Sequence, residues 1–339
     1  MTKTKPTCIF LVRLFHPHQG GVEKHVAQIS RILMKRGWDI TVITEQYDES
    51  LPLLEKLDEM HILRIPKDQT SSKLKLWKWM INHREIFFQC DVIHCHDVFW
   101  WYLPIRMLNY KVPVFTTFHG YEGSGVPTKK AIRSRKISEL LSKGSICVGD
   151  WMRGWYNAYP DVVFYGATTA KPAKAIQNNK AVFIGRLSED TGVLEYIQAI
   201  KSLNGKISLD IFGEGDLLLN VKKEIKKIPY IHYQGVTNHA EDLYGDYEHV
   251  FVSRYLGMIE ALAVGRNVYA HWNNEIKKDY LKSFPKKDAI FIFHTSDEVA
   301  KKLLKPQQKN DELLFEAQAW ALKQTWENAA DVYEELWKK

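Results

Sequence analysis

The chain has 339 residues, 45% of them hydrophobic and 26% charged. That balance excludes disordered and fibrous classes, and at roughly 100–200 residues per domain it predicts two domains. Its 47 Lys and Arg against 40 Asp and Glu leave a formal charge of +7, too small a surplus for a dedicated nucleic-acid binder but compatible with an anionic substrate or an acidic membrane surface. The cysteines, Cys8, Cys90, Cys95 and Cys147, show neither a CxxC pair nor the density of a disulfide scaffold. They read as buried thiols of a reducing compartment. No cleavable leader and no window of roughly 18 apolar residues is evident, so a cytoplasmic protein is expected, at most peripheral at the inner face of a membrane.

In chain order, short apolar runs alternate with stretches of helical periodicity, the pattern of parallel sheets with crossover helices. An apolar run over 8–14 leads through FHPHQGG into a helix on which Val22, Val26, Ile29 and Leu33 recur until Gly37. Strands follow at 39–44, 61–65, 91–95, 112–118 and 145–148, completing one doubly wound domain over residues 1–168. The small, polar stretch GATTAKPAKAIQNNK reads as a linker. Alternation restarts with strands at 181–184, 207–212, 231–234, 249–252 and 267–270 and helices around 192–203, 217–228 and 256–264, predicting a second domain over 180–319. A terminal helix over 320–339 is expected to pack back on the first domain. The fold class is therefore α/β, two tandem Rossmann-like doubly wound domains. Their strand carboxyl ends are expected to face a common cleft, where such sheets bind ligands.

The candidate residues fall on loops after strands. Gly20 and Gly21 let backbone approach a ligand at a helix N-terminus, which suits a phosphate; a plain tight turn is the bland alternative, and GxGxxG is absent. In DVIHCHD, strand alternation puts His94 and His96 on one face beside Asp97. Without a third ligand at suitable spacing, a metal reading ranks below histidines that line the cleft wall or hold backbone groups. His119 follows another apolar strand, with Glu122 close by. Arg186, after the first strand of the second domain, can fork onto phosphate oxygens. Gly213 marks a turn for which a simple structural role is the alternative, and the exposed amides around Val236 could read a base edge. Ser253 is a natural N-cap for YLGMIEALAVG. Glu260 in that helix would be costly to bury unpaired and is assigned to sugar hydroxyls. A basic amphipathic stretch from Pro127, with Lys129, Lys130 and Arg133 among Ile132, Ile137, Leu140 and Leu141, suits an anionic membrane or a phosphorylated acceptor as well as a solvated face.

GGVEKHV, DVIHCHD, TTFHGYEG, FIGRL, IFGEGD, YQGVTN and YLGMIEALAVG, in this order over nearly the whole chain, resemble the retaining GT-B-fold glycosyltransferases of family 4. The resemblance implies transfer of a sugar from a UDP- or GDP-type nucleotide sugar to a hydroxyl of a glycan or lipid-linked acceptor, with retention. It implies neither a metal nor a further cofactor, and no nucleic-acid partner. It places His119, Arg186 and Glu260 at the reaction, and Gly20, Gly21, Arg186, Gly213, Val236, Arg254, Gly257 and Glu260 on the donor. His16, Glu122, Lys129, Lys130 and Arg133 are assigned to the acceptor side. Two departures stand out. Thr191 occupies the place of a diphosphate lysine, for which Arg254 is the nearest substitute, and Val252 that of the first glutamate of a pair. They keep two alternatives in view, a non-catalytic sugar-nucleotide or glycan-binding protein and a nucleotide-sugar epimerase.

Overall fold

A computed structural model describes residues 5–121, 125–237, 239–304 and 311–339. It divides into two compact units, the first comprising the described residues up to 121, Pro127–Phe164 and Trp326–Lys339, the second the described residues 125–126 and Tyr165–Thr325.

The first unit holds an eight-stranded sheet of β1 (Thr7–Val12), β2 (Asp39–Glu45), β3 (Leu54–Leu57), β4 (Met60–Ile65), β5 (Val92–His96), β6 (Val114–Phe118), β7 (Gly144–Val148) and β8 (Val162–Phe164). The spatial order is β3-β4-β2-β1-β5-β6-β7-β8, and every pairing is parallel except β3 with β4. Strand order reverses between β1 and β5, so the loops after these two strands flank the switch point, the usual ligand position in open parallel sheets.

Side chains alternate across the sheet. Ile9, Leu11, Ile93 and Cys95 share a core with Leu76, Trp79 and Met80 of the Lys73–Asn82 helix and Phe99, Trp101 and Tyr102 of the Phe99–Leu108 helix. Phe10 and His94 face the other way, against Tyr333 and Trp337 of the Trp326–Trp337 helix. That last helix lies on β7 so closely that a Cβ on Gly144 would stand 2.7 Å from Leu336 Cδ1.

The second unit has six strands, β9 (Lys180–Ile184), β10 (Ser208–Phe212), β11 (Ile231–Gly235), β12 (His249–Val252), β13 (Asn267–His271) and β14 (Ile290–Phe293). They are ordered β11-β10-β9-β12-β13-β14, all parallel, with the switch point between β9 and β12. The Asp311–Leu322 helix stays with this unit through Gln318, whose Nε2 donates to Ala263 O at 3.1 Å.

Loops after β9 and β10 are laced together: Gly185 N donates to Phe212 O (3.1 Å) and Leu187 N to Glu214 O (2.8 Å). At Gly213, φ is +136° and a Cβ would lie 1.8 Å from Gly185 O. Gly213→Ala should therefore destabilise the second unit by about 2–4 kcal/mol, through left-handed strain plus backbone collision. Urea unfolding would measure it, and a loss below about 0.5 kcal/mol would contradict the packing described.

Candidate functional site

In the second unit the switch point carries a cluster of cations around one carboxylate. β9 delivers Arg186, whose Nη2 donates to Asp190 at 3.1 and 3.2 Å and whose Nε donates to Ser188 Oγ at 3.0 Å. β12 delivers Arg254, whose Nη2 donates to Asp190 Oδ2, one of the two oxygens that Arg186 bonds, at 2.5 Å. Ser188 Oγ donates to Asp190 at 2.6 Å. Burial alone would push the Asp190 carboxyl up, but Arg254, Ser188 and Arg186 together hold it at about 2. Lys277, on the Glu275–Lys282 helix, is fully buried and donates to Ser253 O and, at 2.8 Å, to Ser253 Oγ. Burial, with Arg254 beside it, drives its pKa well down. Arg186 keeps 63% of its side chain exposed and Arg254 38%, so both guanidinium groups reach solvent beside Asp190.

The helix at this point is Tyr255–Ala263, and its N-cap is Arg254, in extended backbone, rather than Ser253 as the sequence suggests. The Ser253 hydroxyl is taken up by Lys277, and the first helical amide is capped instead by Tyr280 Oη, 2.7 Å from Tyr255 N. The next two amides, of Leu256 and Gly257, have no hydrogen-bond partner among the described residues. Oxygen acceptors fit such donors at a helix N-terminus.

Thr191 is buried and donates its hydroxyl to Ser188 O at 2.7 Å, which pins the turn, and Val252 is buried within β12. Glu260 is buried, 3% exposed, on the inner face of its helix, where its charge helps to raise the pKa of the buried Tyr244. Val236 stands exposed after β11. Gly213 holds the turn after β10, its N–H donating to Gly235 O at 2.7 Å.

In the first unit the loop after β1 is held by the buried Arg64, which donates to His16 O at 2.6 Å and pairs with Glu55. His16 itself is exposed. Gly20 caps the Gly21–Lys35 helix, and a Cβ there would lie 2.3 Å from the Glu23 carboxylate. Glu23 folds back over the helix start and bonds His18 at 2.9 Å, so this N-terminus, expected to meet phosphate, already carries a carboxylate of its own. Space beside Gly21 is open. Glu122 lies outside the described residues.

The Lys129–Leu141 helix turns the other way round from its sequence pattern. Ala131, Arg135 and Ser138 form its buried stripe, while Ile137 and Leu140 are 47% and 83% exposed. The reason is Arg135, whose guanidinium lies 3.7 Å from the Tyr156 ring centre and donates to Gly120 O at 2.9 Å. Lys129, Lys130 and Arg133 are exposed beside the outward Ile137 and Leu140.

The histidines of β5 and the one after β6 hold side chains rather than backbone groups. Trp337 Nε1–H, which can only donate, bonds His94 Nδ1 at 3.0 Å, so a neutral His94 has its proton on Nε2 and donates to Thr117 Oγ1 at 2.7 Å. Thr117 then donates to Tyr333 Oη (3.1 Å), and Tyr333 to His25 Nε2 (2.7 Å). A second pair joins His96 Nδ1 and His119 Nε2 at 2.8 Å. The Asp97 carboxylate accepts the His119 amide at 3.1 and 3.2 Å. Among the described residues no group of three such side chains is placed to hold a metal ion.

Lys277, Asp190, His25, Tyr333 and Trp337 escaped the sequence reading. Asp190 is four residues after Arg186, a helical ion-pair spacing. Lys277 shares a helical stripe with Ile276, Tyr280 and Leu281, which marks it as buried.

Residues 19–164 match the family described as Glycosyltransferase Family 4. The first unit is a glycosyltransferase family 4 domain. No curated protein matches the chain. Among solved structures, sucrose-phosphate synthase (tll1590) from Thermosynechococcus elongatus is similar over 98% of both chains, with a TM-score of 0.78 at 14% identity. Anabaena Alr3699/HepE in complex with UDP and glucose is similar over 97% of this chain and 98% of its own, with a TM-score of 0.75 at 14% identity. A glycosyltransferase from Rickettsia africae ESF-5 covers 99% and 100%, with a TM-score of 0.69 at 16% identity. At such identities the likeness is one of fold: the family 4 domain and the second unit follow the fold of the GT-B glycosyltransferases.

The family 4 domain should be acid-labile. Burial lowers the pKa of His25 to about 3 from an ordinary 6.5, and lowers those of His94, His96 and His119 as well. The unfolded chain therefore binds more protons than the folded one below about pH 6.5. Stability should be flat above that point and fall beneath it by about 1.4 kcal/mol per pH unit for each such histidine. Denaturant midpoints at pH 8 and pH 5 that coincide would contradict this.

Proposed function

We propose that the protein is a retaining glycosyltransferase. It moves a sugar from a UDP- or GDP-type nucleotide sugar to a hydroxyl of a glycan or lipid-linked acceptor. The observation that carries this reading is the gathering of Arg186, Arg254 and Lys277 around Asp190 at the β9/β12 switch point, in a chain with the GT-B fold. Fixed guanidinium forks and helix amides suit the charge that accumulates on a departing diphosphate, and they need no reorganisation as it develops. Solved relatives of this fold include HepE in complex with UDP-glucose and TarM in complex with UDP and a GlcNAc-glycerol.

The second unit takes the donor: Arg186, Arg254 and the amides of Leu256 and Gly257 receive the diphosphate, while Val236 and Glu260 serve the nucleoside. Lys277 acts through Ser253, fixing the turn that presents Arg254. With two arginines supplying the positive charge, the reaction runs without a divalent metal. Front-face displacement, in which a leaving phosphate oxygen takes the acceptor proton, fits the carbon chemistry of retention without a carboxylate nucleophile. The family 4 domain serves the acceptor, with His16 and Gly21 at the loop after β1. The exposed Lys129, Lys130 and Arg133 beside Ile137 and Leu140 suit an anionic acceptor or membrane surface. No helix among the described residues is long and apolar enough to cross a membrane.

Release of nucleoside diphosphate that requires an acceptor tests the reading and separates it from an epimerase or a non-catalytic binder. With the matching donor, Arg186→Ala should lose about 10–100-fold in donor affinity, the worth of one charge-assisted contact, and EDTA should leave turnover unchanged. Turnover abolished by EDTA and restored by a divalent ion would overturn the metal-independent scheme. Sedimentation with anionic vesicles should fall for a Lys129→Ala, Lys130→Ala, Arg133→Ala triple variant; equal sedimentation would remove the membrane surface from the proposal.

A further inference from the structure

Only one proton can lie between His96 Nδ1 and His119 Nε2, which stand 2.8 Å apart. If His119 donated it, the proton of His96 would be forced onto Nε2. That atom is buried and has no hydrogen-bond partner among the described residues. Its surroundings are rings: Phe10 edge-on at 5.3 Å, His94 stacked at 5.1 Å and Tyr333 stacked at 6.2 Å. None replaces a hydrogen-bond acceptor, since contacts to an aromatic face are weak. If His96 donates instead, the buried orphan is a lone pair, which proteins tolerate better than an orphaned N–H. The difference favours the second arrangement by roughly tenfold or more.

We infer that His96 fixes the tautomer of His119, so that His119 presents Nδ1–H as a hydrogen-bond donor to an oxygen of the bound ligand. Nδ1 of His119 has no partner among the described residues, whereas its amide is tied to Asp97 and its Nε2 to His96. A second proton is opposed by burial and by the charges that would face it, His25 with its ring 5.0 Å away, His94, and Arg135, which binds Gly120 O. The Asp97 carboxylate accepts the His119 amide N–H. With Nε2 occupied and Nδ1 protonated, His119 offers no lone pair to the ligand and cannot act as a general base. The ligand atom it suits is a hydroxyl or phosphoryl oxygen. His96 is then a positioning residue that acts through His119.

That the ligand is a sugar donor rests on the transferase reading; the tautomer does not. The test uses the full chain labelled with 15N-histidine, with long-range 15N–1H correlations assigned through His119→Gln. His119 should show the Nδ1-protonated pattern and remain singly protonated down to pH 6, while His96→Phe should shift it toward Nε2–H. An Nε2–H pattern in the parent protein, or titration near pH 6.5, overturns the inference even if the variant does not fold. In a transfer assay His119→Gln, which keeps an N–H donor, should hold kcat/KM within about tenfold, and His119→Glu should lose about 100-fold or more. Equal losses in the two variants would remove the donor role while leaving the tautomer assignment standing, and an absence of transfer would count against the transferase reading alone.

Discussion

A parallel sheet must be covered on both faces. In the first unit one face is closed only when the end of the chain returns to it. Trp326–Trp337 lies over β1, β5 and β7, against Phe10, His94 and Gly144. This covering also decides protonation states. Trp337 is donor-only, so its bond to His94 gives one direction to the chain of hydrogen bonds through Thr117 and Tyr333 to His25. Three imidazoles, His25, His94 and His96, are thereby buried in a family 4 domain whose own strand sequences contribute only two of them. The cost of charging those rings makes a neutral state part of the fold.

The second unit gathers basic side chains around one carboxylate. Lys277 has no exposed surface, and Arg186 and Arg254 converge on the same place. Asp190 is the carboxylate between these cations, and Arg254, the Ser188 hydroxyl and Arg186 hold its pKa low despite its burial. Strand order explains the position: β9 and β12 are paired neighbours whose next strands, β10 and β13, lie on opposite sides, and Arg186 and Arg254 stand on the loops that follow them. The proposed diphosphate would bring more negative charge to this place than the one carboxylate does.

Most of this architecture is legible in the sequence. The apolar runs of β1, β5, β9 and β12 and the glycine-bearing loops after them stand out because strands buried on both faces allow little else. Three strands do not. β3 is a polar edge strand, Leu-Glu-Lys-Leu; β8 is three residues long; β14 precedes a polar turn and is separated from its neighbours by helices of mixed character. In the Lys129–Leu141 helix, pattern reading puts Ile137 and Leu140 inside, yet an arginine stacked between aromatic rings takes the buried stripe. At the site, Arg186 is readable because a phosphate-binding fork after a strand has a known chemistry. Lys277 is not, because its role depends on β13 and the following helix packing against Ser253, a contact no local spacing announces. The partnership of His96 and His119 is hidden for the same reason, since two residues 23 apart in sequence meet only when β5 pairs with β6.

The central claim is that the second unit is a diphosphate site built from Arg186, Arg254 and Lys277. Calorimetric titration with UDP and GDP, each against its nucleoside, measures it most directly. The account predicts that for the matching base the diphosphate binds at least about 100-fold more tightly than the nucleoside, as two charge-assisted contacts require. It also predicts that most of this difference disappears in Arg254→Ala. Equal binding of nucleoside and diphosphate, or an unchanged difference in the variant, would contradict it.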